Sequence, residues 1–141
     1  MFWKKKHENK IENLLVADLK IDDEFDTIDK SASIIDASKK IAEVKIPDLV
    51  VIDENRKSLG VVSTFDIVTK AVAQNMDLSN SVTEIMVSGE PFTLETKIVD
   101  AFNVMKRDQI ETVPVIDKEG KLLGVVTIMD VFGAIEYYSA Q

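Results

Sequence analysis

Gly60-Val61-Val62-Ser63-Thr64-Phe65-Asp66 reappears as Gly124-Val125-Val126-Thr127-Ile128-Met129-Asp130, 64 positions further along the chain. The register holds upstream without a gap. Leu59 meets Leu123, Asp53 meets Asp117, and Val51-Ile52 meets Val115-Ile116. Further back Ile46 meets Ile110, Asp36-Ala37 meets Asp100-Ala101, and Ile34 meets Ile98. Hydrophobic strands supply matching valines by chance, but not a shared register of Asp, Gly and Ala. The chain is an internal duplication.

Each copy predicts the same order of elements. Asp26-Thr27-Ile28 and Pro91-Phe92-Thr93 suit short opening strands. Ile34, Ala37, Ile41 and Val44 fall at helical spacing, as do Ile98, Ala101, Phe102 and Met105. Two apolar runs around a polar turn then predict a hairpin: Leu49–Ile52 with Leu59–Val62, and Val113–Ile116 with Leu122–Val126. A closing helix is predicted from about Phe65 to Met76 and again from about Met129 to Tyr138. Val16-Ala17-Asp18-Leu19 and Val82-Thr83-Glu84-Ile85-Met86 suit short helical lead-ins. The expected class is α+β, two tandem β-α-β-β-α repeats packed as a pseudo-symmetric pair. The expected boundaries are a polar extension over 1–15, a first repeat over 16–78 and a second over 79–141. A unit of about 60 residues hides only some 60% of its unfolded surface, so each half needs the other. No Gly-, Pro- or Ser-rich linker separates them.

Composition narrows the function. With 25 acidic against 17 basic residues, the formal charge of −8 repels nucleic-acid backbones. Lys4-Lys5-Lys6 suits a solvated chain end. Cysteine is absent and His7 is the one histidine, which removes thiolate sites, disfavours catalytic zinc and leaves serine–histidine chemistry without support. Asp22-Asp23-Glu24-Phe25-Asp26 lacks the spacing and glycine of a calcium loop and suits a solvated acidic loop. Met1-Phe2-Trp3 lacks the apolar run of a signal peptide, and no apolar run approaches the length of a membrane span. The expectation is a cytoplasmic protein with no nucleic-acid or membrane partner, no metal, and no catalytic residues.

The repeated heptapeptide admits two readings. Ser63-x-x-Asp66 and Thr127-x-x-Asp130 form a capping pattern at a helix start, where an acidic residue is itself stabilising. The same residues offer a hydroxyl, a helix N-terminus favourable to anions, and a carboxylate able to accept two ribose hydroxyls. The glycine permits a close approach to the strand backbone. The two readings are compatible.

Thr112-Val113-Pro114-Val115-Ile116-Asp117 and the duplicated Gly-x-x-Ser/Thr-x-x-Asp resemble tandem CBS domains, the paired arrangement called a Bateman module. The resemblance extends from Val16 to Ile135. It implies a regulatory, ligand-sensing role without catalysis, with AMP, ADP, ATP or S-adenosylmethionine bound in clefts between the repeats. It implies no required cofactor, a homodimer, and a regulated protein partner of unknown identity. One cleft would set Ser63, Phe65 and Asp66 against Ile110 and Thr112; the other would set Thr127, Met129 and Asp130 against Ile46 and Asp48. Ile46 and Ile110 would sandwich the base, though both also suit core packing. Two departures weaken the second cleft: Val50 replaces the proline seen at Pro114, and Asp48 stands opposite Thr112 in the register, a carboxylate repulsive to phosphate. Val68, Val72, Val131 and Ile135 are the candidate dimer-facing residues. The alternative is a structural dimerisation or interaction module with vestigial clefts.

Overall fold

The computed structural model describes residues 10–139; His7 and the Lys4–Lys6 cluster lie outside them. The first repeat runs β1 (Thr27–Asp29), α1 (Ile34–Val44), β2 (Asp48–Ile52), β3 (Ser58–Ser63) and α2 (Thr64–Asp66), which continues as a π-helical turn over Ile67–Val72. The second runs α3 (Ile98–Asp108), β4 (Thr112–Ile116), β5 (Leu122–Thr127) and α4 (Ile128–Ser139). β1 pairs parallel with β2, and β2 antiparallel with β3. In the second copy β4 and β5 form the matching antiparallel pair, and the opening strand shrinks to one parallel bridge, Phe92 with Val115. This is the α+β tandem pair that the repeat predicts.

The 64-residue register is physical as well as textual. Both hairpins carry the same irregularity, between Val51 and Ile52 and between Val115 and Ile116. Both turns are built by an aspartate: Asp53 Oδ1 accepts the Asn55 and Lys57 N–H groups, and Asp117 Oδ1 accepts those of Glu119 and Lys121. That Asx geometry explains why the aspartates match. Both first helices end in a left-handed residue, Lys45 and Gln109.

The closing helices differ. A regular helix is predicted to Met76, but α2 passes into the π-helical turn and stops at Val72. Thr69 Oγ1 donates to the Phe65 carbonyl at 2.7 Å, competing with the helix ladder, and Asn75 at φ 54° ends the segment. In α4 the face that points inward is Val131, Ala134 and Tyr138. Val131 is fully buried, which corrects its placement on an exposed face. The residues that α2 and α4 expose are Phe65, Val68 and Val72, and Met129, Phe132 and Tyr137.

The lead-ins cross over. Val82 and Ile85 are buried in the core of the first repeat, against Ile34, Leu49 and Val62. Leu14 and Val16 are buried in the core of the second, against Ile98, Val115 and Val126. Backbone bonds fix the exchange: Val16 N–H donates to Thr96 O, Ala17 N–H to Leu94 O, and Ile98 N–H to Leu14 O. Each lead-in then runs alongside a hairpin. Val125 N–H donates to Ile21 O, while Val61 and Val87 exchange both backbone bonds. Gly124 and Gly60 are required here. A Cβ at Gly124 would lie 2.0 Å from Ile21 O, and one at Gly60 2.6 Å from Val87 O. The close approach that the glycines permit is therefore by the chain's own backbone.

The repeats meet across a pseudo-twofold axis. Equivalent residues Lys57 and Lys121 pair with each other, and Leu122 N–H donates to Arg56 O. Beneath them Val50, Leu122 and Val125 form a shared apolar cluster, flanked by Phe25 and Ile52. No helix among the described residues is long and apolar enough to cross a membrane.

Candidate functional site

Two clefts lie between the repeats. The larger, about 1050 Å³, is bordered by Ser63, Phe65 and Asp66 from the first repeat and by Ile110 and Pro114 from the second. The smaller, about 610 Å³, is bordered by Ile46, Asp48, Thr112, Thr127 and Met129. Ser63, Phe65, Asp66 and Ile110 thus converge on one cleft. Thr112 instead faces the other, and Asp48 lines both. Asp130 is not among the lining residues of the smaller cleft.

The start of α2 forms the floor of the larger cleft, and its polar groups satisfy one another. Asp66 is 5% exposed. Its Oδ2 accepts the Ser63 N–H at 3.0 Å and the Ser63 hydroxyl at 2.9 Å, and its own N–H donates back to Ser63 Oγ. Its Oδ1 pairs with Lys70 Nζ at 3.0 Å, one turn along, and Lys70 also reaches Ile85 O. Thr64 N–H donates to Pro47 O. The N–H groups of Ser63, Thr64 and Asp66 at this helix start are thus engaged inside the protein. The carboxylate retains acceptor capacity for a ligand hydroxyl, since two oxygens offer about four lone-pair sites and three are in use.

At the start of α4 the arrangement repeats without the lysine. Thr127 N–H donates to Asp130 Oδ2, Asp130 N–H to Thr127 Oγ1, and Ile128 N–H to Glu111 O. The position of Lys70 is taken by Ala134, which is buried. The capping reading of both motifs holds in atomic detail.

Asp48 is half-buried between the two clefts. Burial pushes its carboxyl above the ordinary range, and the charges of Glu111 and Asp66 act in the same direction. A 2.7 Å bond from the Thr112 hydroxyl opposes the shift.

Sequence reasoning missed several lining groups. Lys70 and Arg107 both reach the larger cleft, as does the inter-repeat segment at Val87, Gly89, Glu90 and Pro91. Lys70 carried a signal, since it lies four residues after Asp66 on one helix face. Arg107 belongs to a helix of the other repeat, and no local pattern announces it. Glu24 and Phe25 border the smaller cleft, so part of the acidic loop forms its rim. No cluster of three or more potential metal ligands exists among the described residues.

Comparison with known proteins identifies the family and the fold. The CBS domain model matches residues 16–73 and 82–137. An uncharacterized 17.7 kDa protein of Acidianus ambivalens is 31% identical over 106 residues, covering 74% of this chain and 63% of that protein. A homoserine O-acetyltransferase of Methanosarcina acetivorans is 33% identical over 118 residues, covering 83% of this chain and 21% of the enzyme. The chain therefore spans less than two thirds of the length of these relatives. Among solved structures, CBSX2 in complex with AMP aligns with TM-score 0.74 at 25% identity, over 89% of this chain and 98% of that one. The CBS domain pair of protein MJ0100, in complex with 5′-methylthioadenosine and S-adenosyl-L-methionine, aligns with TM-score 0.75 at 27% identity, over 87% and 96%. Two hairpin-centred repeats, each closing on a capped Ser/Thr-x-x-Asp helix and matched by the same family model, establish that this chain belongs to the CBS domain family.

Proposed function

We propose that this chain is a non-catalytic regulatory module that takes an adenosyl ligand into the larger cleft and transmits occupancy to a protein partner. The observation that carries the reading is the convergence of Ser63, Phe65 and Asp66 with Ile110 of the other repeat around about 1050 Å³. A cleft of that size accommodates a nucleoside with its 5′ substituent. Asp66 accepts a ribose hydroxyl at its remaining acceptor site, and Phe65 and Ile110 flank the base. The bound AMP, 5′-methylthioadenosine and S-adenosyl-L-methionine of the two structural relatives support this ligand class. The matched stretch is about a fifth of the Methanosarcina enzyme, which suits an accessory rather than a catalytic part. The smaller cleft, with Thr127, Met129, Ile46 and Asp48, is a weaker second site. Its volume is lower, and Phe25 borders it while packing against Val50, Leu122 and Val125. The module works as a homodimer in the cytoplasm through the exposed apolar faces of α2 and α4.

Calorimetric titration with 5′-methylthioadenosine, S-adenosylmethionine and AMP tests the reading, using the parent chain, Asp66→Asn and Asp130→Asn. Asparagine preserves a helix cap to within about 1 kcal/mol. It loses the charge of the hydroxyl-accepting carboxylate, so Asp66→Asn is expected to weaken binding by about 10- to 100-fold. Asp130→Asn is expected to have the smaller effect. Unchanged affinity in Asp66→Asn, with measurable binding by the parent, would remove the ribose role.

The engagement of most of the Asp66 acceptor capacity by Ser63 and Lys70 favours one second reading, a structural association module whose clefts stay empty. Absence of binding by all three ligands would select it.

A further inference from the structure

The charges around the larger cleft point to a narrower ligand class than adenosyl compounds at large. Two cations line it, and both are committed. Lys70 is paired with Asp66, and Arg107 is held by both oxygens of its neighbour Asp108, at 2.8 and 3.0 Å. Four further carboxylates line the same cleft: Asp48, Glu90, Asp100 and Glu111. None of the four makes an ion pair among the described residues. The helix start adds little attraction for an anion. The N–H groups of Ser63, Thr64 and Asp66 are spent on Asp66, Pro47 and Ser63 respectively. A phosphate entering this cleft meets uncompensated negative charge and few free donors, whereas a cation is attracted.

Asp48 holds the central position. It lines both clefts, and its surroundings include Glu111 and Asp66 but no paired lysine or arginine. The bond from Thr112 holds its carboxylate in place.

We infer that Asp48 is a specificity-determining residue that makes the larger cleft select adenosyl ligands with a cationic or neutral 5′ substituent, of the sulfonium or thioether class, over 5′-phosphates. This rests on the proposed adenosyl site and adds the ordering of ligands.

The test is calorimetric titration of the full chain with four probes: S-adenosylmethionine, 5′-methylthioadenosine, AMP and ATP. The parent should bind S-adenosylmethionine about tenfold or more tightly than AMP, with ATP weakest and the neutral thioether between. Asp48→Asn keeps an acceptor for Thr112 and should narrow the sulfonium-to-AMP ratio about fivefold or more. Glu90→Gln, at an exposed rim position, should narrow it in the same direction and guards against a misfolded Asp48 variant. AMP or ATP binding as tightly as S-adenosylmethionine would overturn the inference, as would a ratio unchanged in both variants. If 5′-methylthioadenosine binds in an Asp66-dependent way while AMP binds tightest, the charge filter falls and the ribose site stands. If none of the four probes binds, both fall.

Discussion

The Thr112 hydroxyl donates to Asp48 Oδ2 at 2.7 Å, and the two residues occupy equivalent positions of the two repeats. One contact thus joins the halves at their pseudo-twofold axis through a threonine on one side and a carboxylate on the other. A symmetric sequence would put two threonines or two carboxylates there. The asymmetry gives the interface a partly buried charge.

That charge makes stability depend on pH. The folded carboxyl of Asp48 is raised above its ordinary range, mainly by burial, so the folded state binds its proton more tightly than the unfolded chain does. Where the folded state holds more protons, stability falls as pH rises. The Asp48 contribution is therefore most favourable below the ordinary carboxylate range and is lost as pH rises through the raised value. Denaturant melts of the parent and Asp48→Asn should coincide at low pH and separate above that value, with the variant the more stable. A variant less stable at neutral pH would refute the sign.

The crossed lead-ins predict destabilisation at a distance along the sequence. Ile85 is buried in the first core although it follows that repeat's last helix, and Leu14 is buried in the second core although it precedes the first repeat. Ile85→Ala and Leu14→Ala should each cost about 2–5 kcal/mol by chemical denaturation. A chain ending at Leu78 lacks Val82 and Ile85 and should show no cooperative melt. Extension to Ser88 should restore packing of that core but not the stability of the full chain, because Val50 still lacks Leu122 and Val125.

Three glycines separate close approach from helix propensity. Gly124→Ala puts a Cβ against Ile21 O, and Gly60→Ala puts one against Val87 O. Both should be strongly destabilising, by more than about 2 kcal/mol, with Gly124→Ala the worse. Gly133 lies in α4 with open space around it, so Gly133→Ala should stabilise by about 0.5–1 kcal/mol. Thermal melts of the three variants order them directly.

The exposed apolar residues of α2 and α4 predict self-association. Phe65 is 73% exposed, Met129 70%, and Phe132 47%, with Val68 and Val72 beside them. Light scattering at micromolar concentration should give twice the chain mass of 15.8 kDa. Phe132→Glu should shift the protein toward the monomer, whereas a parent already at the single-chain mass would contradict a homodimer.

Much of this architecture was legible because its signals are local. The hairpins follow from β-forming runs around an aspartate-built turn, and Ser63-x-x-Asp66 writes its own cap within four residues. The lead-ins were legible as short helices but not as crossing, since nothing in Val16-Ala17-Asp18-Leu19 records which hydrophobic core completes it. Gly60 and Gly124 were recognisable as close-approach positions, but the approaching group lies far away in sequence. The pairing of Ser63, Phe65 and Asp66 with Ile110 came from the family resemblance rather than from any local signal, and Thr112 turns instead toward Asp48 and the smaller cleft. Arg107 escaped notice because a helix surface residue acquires a site only when another repeat is folded opposite it. Val131 was misread because an apolar pair four residues apart on a helix does not record whether that face meets solvent or the core, and here it packs on the second core.

The exchange of lead-ins also orders events during vectorial synthesis. The buried residues of the first core run from Ile28 to Ile85, so they can assemble once that stretch has left the ribosome. The second core joins Leu14 to Ile98, Val126 and Ala134, and awaits synthesis through Ala134. Until then Leu14 and Val16 remain an unsheltered apolar arm ahead of the first repeat. Long loop closure of this kind is slow, and domains generally consolidate from the N-terminal side. In refolding followed by pulsed amide exchange, protection of Leu49–Val62 should precede protection of Val113–Val126. Simultaneous protection of the two hairpins would show instead that the arm docks before either core is complete.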